Sequence, residues 1–145
     1  MALHDVAALE RAIQRYQREY GKWPAPSQAG GADVRYGRRR PNAEIMRILR
    51  AESGPGNPEH ALNPQRMVFI EMESHKPGWS GLDGRGEFLD PWGQPYQIVL
   101  DSNYDNAAQV ENSIYPRLLG VGVMIWSYGP DTISETRDDL ISWPR

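Results

Sequence analysis

Oxygen-bearing side chains gather toward the end of this chain. Asp131 opens the segment 131–139, and Asp138 and Asp139 close it. Calcium takes six to eight oxygens from carboxylates, backbone carbonyls and water, and it tolerates irregular geometry. These three carboxylates, with carbonyls of the intervening residues, could clamp one such ion. The same aspartates could equally cap turns in an acidic surface loop. A second, weaker set is Asp101, Asn103 and Asp105, which match positions one, three and five of an EF-hand loop, with Asn106 in the place of its glycine. That match then fails. Position twelve is Asn112, Glu111 comes one place early, and apolar strand-like runs flank the loop. A loop whose Asx side chains satisfy their own backbone is the favoured reading there.

Other chemistries find less support. Gly84-Arg85-Gly86 is too short for a phosphate-binding fingerprint and has no strand-then-helix context. Arg38, Arg39 and Arg40 beside Tyr36 form one basic patch in a net acidic chain, which is poor footing for nucleic-acid binding. His4, His60 and His75 are scattered without partners at helical spacing, and they read as exposed polar residues. There is no cysteine nucleophile and no serine in a Gly-x-Ser-x-Gly setting, so no catalytic residues are expected. Trp23, Trp92 and Trp143 each lie beside a turn, where a large ring can pin a loop onto a sheet.

The elements that must position these residues fit one domain spanning 1–145. With 39% hydrophobic and 24% charged residues the composition is that of an ordinary globular protein. Gly 14 and Pro 12 call for many turns and argue against a helical bundle. The net charge of −3 conceals an asymmetry, because residues 1–80 carry 12 Lys/Arg against 9 Asp/Glu and residues 81–145 carry 4 against 10. Zero cysteines exclude disulfides and thiolate metal sites. No apolar run of about 18 residues is present, so nothing in the sequence reads as a membrane span.

Leu3, Val6, Leu9, Ile13, Tyr16 and Tyr20 recur at steps of three or four, which predicts an amphipathic helix over 3–20. Gly21 sits at its stop and Pro24 and Pro26 forbid continuation. Residues 25–41 read as loop. Asn42 is the expected N-cap of a short helix from Ala43 to about Glu52, and 53–64 is turn-rich. Strands are expected at 67–72, 96–101 and 121–128, with a long turn region over 74–88. The order is helix, short helix, then about three antiparallel strands, an α+β layout with the long helix packed on a small sheet.

Several strings resemble one known family. FLDPWGQPYQIVL at 88–100 and GPDTISETRDDLISW at 129–143 are similar to the C-terminal half of the major pseudopilins of bacterial type II secretion, which are type IV pilin-like proteins. ALERAIQRYQREYGKWP also resembles the spine helix of that family where it leaves the membrane, so the likeness covers roughly 2–26 and 88–143. NAEIMRIL and NPQRMVFIEM add weaker matches, and 27–41 adds none. The resemblance implies a pilin-like α+β head in the periplasm, held at the inner membrane by an apolar N-terminal helix. The sequence would then begin just after that helix. It implies packing against other pseudopilin subunits in a helical filament, with no enzymatic turnover and no nucleic acid. The alternative is a minor pilin or an envelope binding module that meets a secreted protein or another subunit. It also implies calcium as the ion held by Asp131, Asp138 and Asp139. Two positions depart from the family pattern, because Thr132 and Glu135 stand where it has glycines. Threonine resists the left-handed backbone that glycine permits, whereas Glu135 could add a carboxylate.

Overall fold

The computed structural model describes residues 2–24, 34–37, 41–76, 78–101, 107–108, 118–119, 122–127 and 140–141. In chain order the elements are helix α1 (Ala2–Tyr20), strand β1 (Val34–Tyr36), helix α2 (Ala43–Leu49), a 3-10 turn (Pro58–His60) and strands β2 (Gly81–Leu82), β3 (Phe88–Leu89), β4 (Gln97–Leu100), β5 (Ala107–Ala108), β6 (Leu118–Leu119), β7 (Val123–Ser127) and β8 (Leu140–Ile141). The class is mixed helix and antiparallel sheet, compatible with the α+β expectation.

The apolar stripe of α1 is its buried face: Val6, Leu9, Ile13 and Tyr16 are all buried, while Arg11, Arg15 and Arg18 are exposed. The helix stops at Gly21, whose φ of +71° lets its N–H reach the Gln17 carbonyl at 2.8 Å without a Cβ clash. The stripe packs against β7 and β8 of a four-stranded sheet ordered β1-β4-β7-β8, antiparallel throughout. Alternation along the strands sorts the residues by face. Tyr36, Ile98, Leu100, Val123 and Ile125 join the helix-side core, and Arg35, Gln97, Val99, Met124 and Trp126 point the other way. The sequence expectations for 96–101 and 121–128 match β4 and β7, the two central strands.

Residues 67–72 are not a strand of this sheet. Their backbone groups are claimed elsewhere: the Met67 N–H and carbonyl bond the Asn63 side chain, and the Phe69 N–H donates to the Leu49 carbonyl at 2.8 Å. Phe69 and Ile70 still reach the core, but Val68 is exposed. The edge strand is instead β1, inside the stretch that reads as loop. Its Tyr36 joins the core, but three residues set in a stretch rich in Gly, Ala and Arg are too short an apolar run to signal a strand.

Helix α2 buries Ile45, Met46, Ile48 and Leu49, as its pattern requires, but it ends at Leu49 rather than near Glu52. The Ala51 N–H reaches the Ile48 carbonyl at 3.3 Å and the Glu52 N–H reaches the Arg47 carbonyl at 2.9 Å. That pattern is a Schellman stop, here with Ala51 at φ +61° where glycine is usual. Asn42 does not cap α2 with its side chain. That amide is buried and joins distant segments. Its Nδ2 donates to the carbonyls of Phe88 (2.9 Å) and Tyr96 (3.0 Å), and its Oδ1 accepts the Phe88 N–H at 2.7 Å.

Asn57 and Asn63 act in the same way within the turn-rich segment. Asn57 spans the Glu52 carbonyl and the Leu62 N–H. Asn63 spans the carbonyls of Ile48 and Met67 while accepting from Tyr20 at 2.6 Å. The Tyr16 hydroxyl donates to the Leu62 carbonyl, so the loop is fastened to α1 by both tyrosines. Buried backbone groups need partners, and where no ladder supplies them the side-chain amides do.

Candidate functional site

The family-like string Asp90-Pro91-Trp92-Gly93-Gln94-Pro95-Tyr96 forms a tight hairpin between β3 and β4. The Asp90 N–H donates to the Gln94 carbonyl at 2.8 Å, and the Gly93 N–H returns to the Asp90 carbonyl at 3.0 Å. Gly93 lies at φ +86°. This is a type I turn closed by a left-handed residue, which a glycine fills without strain. The Asp90 side chain completes it, with Oδ1 accepting the N–H groups of Trp92 (3.0 Å) and Gln94 (2.9 Å). Its second oxygen, Oδ2, accepts the Ser127 hydroxyl at 2.7 Å, which ties the turn to the end of β7.

Asp90 is wholly buried. Desolvation pushes its carboxyl above the ordinary value of 3.8. Hydrogen bonds from Ser127 and from the Gln94 and Trp92 backbones, and the nearby His75, pull it back. With both oxygens engaged by protein donors, Asp90 is built to hold the turn. Tyr96 closes the motif in the core. Its ring packs on Phe88 at 4.5 Å and its hydroxyl donates to Asp5 Oδ2 at 3.1 Å, joining the hairpin to the first turn of α1. Burial lifts its pKa above the ordinary 10.0, so this hydroxyl stays protonated and remains a donor. Glu87, before the hairpin, is also pushed upward, mainly by burial.

The same device occurs seven residues earlier, over Asp83-Gly84-Arg85-Gly86-Glu87. Asp83 Oδ1 accepts the N–H groups of Arg85 (2.8 Å) and Glu87 (3.0 Å). The Asp83 N–H meets the Glu87 carbonyl at 2.9 Å, the Gly86 N–H meets the Asp83 carbonyl at 3.1 Å, and Gly86 lies at φ +84°. Gly84 and Gly86 therefore serve a hairpin between β2 and β3. The pairing Asp-x-x-Gly, twice at a spacing of seven, is legible in the sequence as a turn signal.

The leading metal candidates Asp131, Asp138 and Asp139, with Thr132 and Glu135, lie outside the described residues, as do Asn103 and Asp105 of the weaker set. Asp101 is described: it is 5% exposed at the end of β4, with its N–H on the Gly122 carbonyl at 2.9 Å. Among the described residues, no group of three or more His, Asp or Glu side chains is placed to hold a metal.

His60 and His75 are half-buried rather than exposed, and each has one ring nitrogen shut off from water without a hydrogen-bond partner. The cause for His75 is that its backbone pairs with Leu82 and carries the ring inward. Trp23 packs on the core, and a Cβ added at Gly122 would come within 1.9 Å of its ring. It anchors the chain after α1 beside the start of β7. Trp92 is 38% exposed at the hairpin tip, in a turn that the Asp90 side chain fixes. Trp143 and Arg38–Arg40 lie outside the described residues.

No helix among the described residues is long and apolar enough to cross a membrane. No family model, curated protein or solved structure matches the chain.

Proposed function

We propose that this chain is the globular head of a pseudopilin, a structural subunit of a periplasmic filament used in protein secretion. The observation that carries the reading is how the family-like strings are used. The amphipathic stripe of α1 is buried on an antiparallel sheet, and the Asp-Pro-Trp-Gly hairpin is tied through Asp90 to Ser127 and through Tyr96 to Asp5 of that helix. A head fastened this way would transmit axial load from helix to sheet without turning over a substrate. Its partners would be other subunits of the same filament, and its anchor the inner membrane. In that reading calcium braces the C-terminal loop through Asp131, Asp138 and Asp139.

The decisive test is the upstream coding sequence. A short basic leader, a processing point and about 20 apolar residues before Ala2 are expected. An upstream sequence without that segment overturns the proposal. The isolated head should run as a monomer in light scattering, since in this reading the principal assembly contact is made by an apolar helix and not by the head. Calcium has a separate readout. An ion that binds only the folded state at about a hundredfold excess over Kd adds roughly 2.7 kcal/mol, or about 9 °C in melting temperature for a domain of this size. Asp138→Ala and Asp139→Ala should abolish that rise and Asp101→Ala should leave it. A melting curve indifferent to calcium and to chelator would remove calcium from the reading.

A further inference from the structure

The backbone of residues 67–73 is bonded along one side and open along the other. The odd positions are spent on the protein. Met67 bonds the Asn63 side chain through both its N–H and its carbonyl, the Phe69 N–H donates to the Leu49 carbonyl at 2.8 Å, and the Glu73 carbonyl accepts the Leu82 N–H at 2.9 Å. The even positions are not. Among the described residues, the N–H and carbonyl groups of Val68, Ile70 and Met72 have no hydrogen-bond partner. This alternation is that of an extended chain, in which residues two apart present their backbone groups to the same side. Ile70 is only 9% exposed, where an unpaired backbone group is most costly, whereas Val68 is 51% exposed. Free edges are commonly blunted by Pro or Lys, and residues 67–72 carry neither.

We propose that Val68, Ile70 and Met72 form an open strand edge that binds an extended segment of a partner polypeptide by strand addition. The spacing identifies the chemistry of the ligand. Donor and acceptor pairs recur at every second residue, about 7 Å apart, and another extended backbone repeats at that interval. A helix has already spent its backbone groups internally, so it cannot supply the rungs. A ligand side chain beside Val68 would cover its exposed methyl groups, and an apolar β-branched residue fits there. Charge does not select the ligand, because exposed Glu71 and Glu73 are offset by exposed Arg66 and by Arg15, which lies over the Phe69 ring at 5.8 Å. A second copy of the segment fits less well. Antiparallel self-pairing about Ile70 would set the buried Phe69 of one copy opposite the exposed Glu71 of the other. The assignment does not depend on the filament reading.

The capped peptide acetyl-Thr-Val-Thr-Val-Thr-amide, titrated into the isotopically labelled protein, tests this by NMR. Saturable shifts are expected at residues 68–72. With peptide bound, the amides of Val68, Ile70 and Met72 should exchange with solvent at least about tenfold more slowly, and the Phe69 amide, already bonded to Leu49, should change less. Val68→Pro removes a rung donor that bonds nothing in the fold, and it should weaken binding about tenfold. Arg11→Glu, on the exposed face of α1, should bind as the parent does. Thermal melts of each variant separate lost binding from lost folding, and a peptide methylated at every backbone nitrogen, which should not bind, repeats the test on the unaltered protein. No saturable shift, shifts elsewhere, binding of the methylated peptide, unchanged binding in a folded Val68→Pro, or self-association through 68–72 in place of peptide binding would each overturn the proposal.

Discussion

The turns at 83–87 and 90–94 are the same backbone device put to different uses. Both place an aspartate oxygen on the N–H groups two and four residues on, and both close with a left-handed glycine. They differ in what surrounds the carboxylate. Asp90 is wholly buried and spends its second oxygen on Ser127, whereas Asp83 is half-buried at the rim of an open groove. One turn is locked to the sheet; the other displays an arginine. Local hydrogen bonding therefore determines the shape of a turn, and its surroundings determine whether it is an internal fastener or a presenting surface.

The comparison breaks most sharply at the aspartates. Asp90→Ala leaves the buried Ser127 hydroxyl and the part-buried N–H groups of Trp92 and Gln94 without their acceptor, at about 1–3 kcal/mol per buried unsatisfied group. A loss of about 3 kcal/mol is expected in denaturant unfolding. Asp83→Ala should cost only about 1 kcal/mol, because water can replace the carboxylate there. Equal losses would show that burial does not separate the two turns.

The glycines should instead behave alike. Gly93 has no atom within 4 Å of a built Cβ and Gly86 only the Ala43 Cβ at 4.0 Å, so strain is the main term. Gly93→Ala and Gly86→Ala should each cost about 1–2 kcal/mol for the left-handed backbone. Ala51 provides the converse, since Ala51→Gly at φ +61° should stabilise by about 1 kcal/mol in the same assay.

A finer distinction is pH. Because burial raises the Asp90 carboxyl above 3.8, its contribution to stability is fully present below that value and is lost as pH rises through the folded-state pKa. Asp90→Asn keeps an acceptor for the two N–H groups and a donor for the Ser127 oxygen. It should flatten part of the stability loss measured as pH rises above the ordinary carboxyl value of 3.8, while Glu87, raised for the same reason, retains the remainder. An unchanged profile would mean that the Asp90 charge is compensated within the core. The smallest expected effect is Arg85→Glu, which should stay within about 0.5 kcal/mol of the parent, since an exposed charge contributes little to stability.

Much of this arrangement was legible in the residues. The spacing of Val6, Leu9, Ile13 and Tyr16 forced a helix with one buried face, and Gly21 marked its stop. Continuous apolar runs located β4 and β7 because strands covered on both faces leave no polar alternation. The two Asp-x-x-Gly turns are written in side-chain chemistry that acts over four residues. Everything set by distant partners was not legible. Asn42 looks like a helix cap, but across 46 and 54 residues it finds Phe88 and Tyr96, whose buried backbone groups need it more. The segment 67–72 has the composition of a strand, yet Asn63 and Leu49 take its hydrogen bonds first, and the three-residue β1 occupies the sheet edge. Residue type and local spacing determined what each segment could become. Only the tertiary structure decided which backbone groups competed for the same partner, and that competition settled the sheet edge, the asparagine clips and the exposure of Arg85.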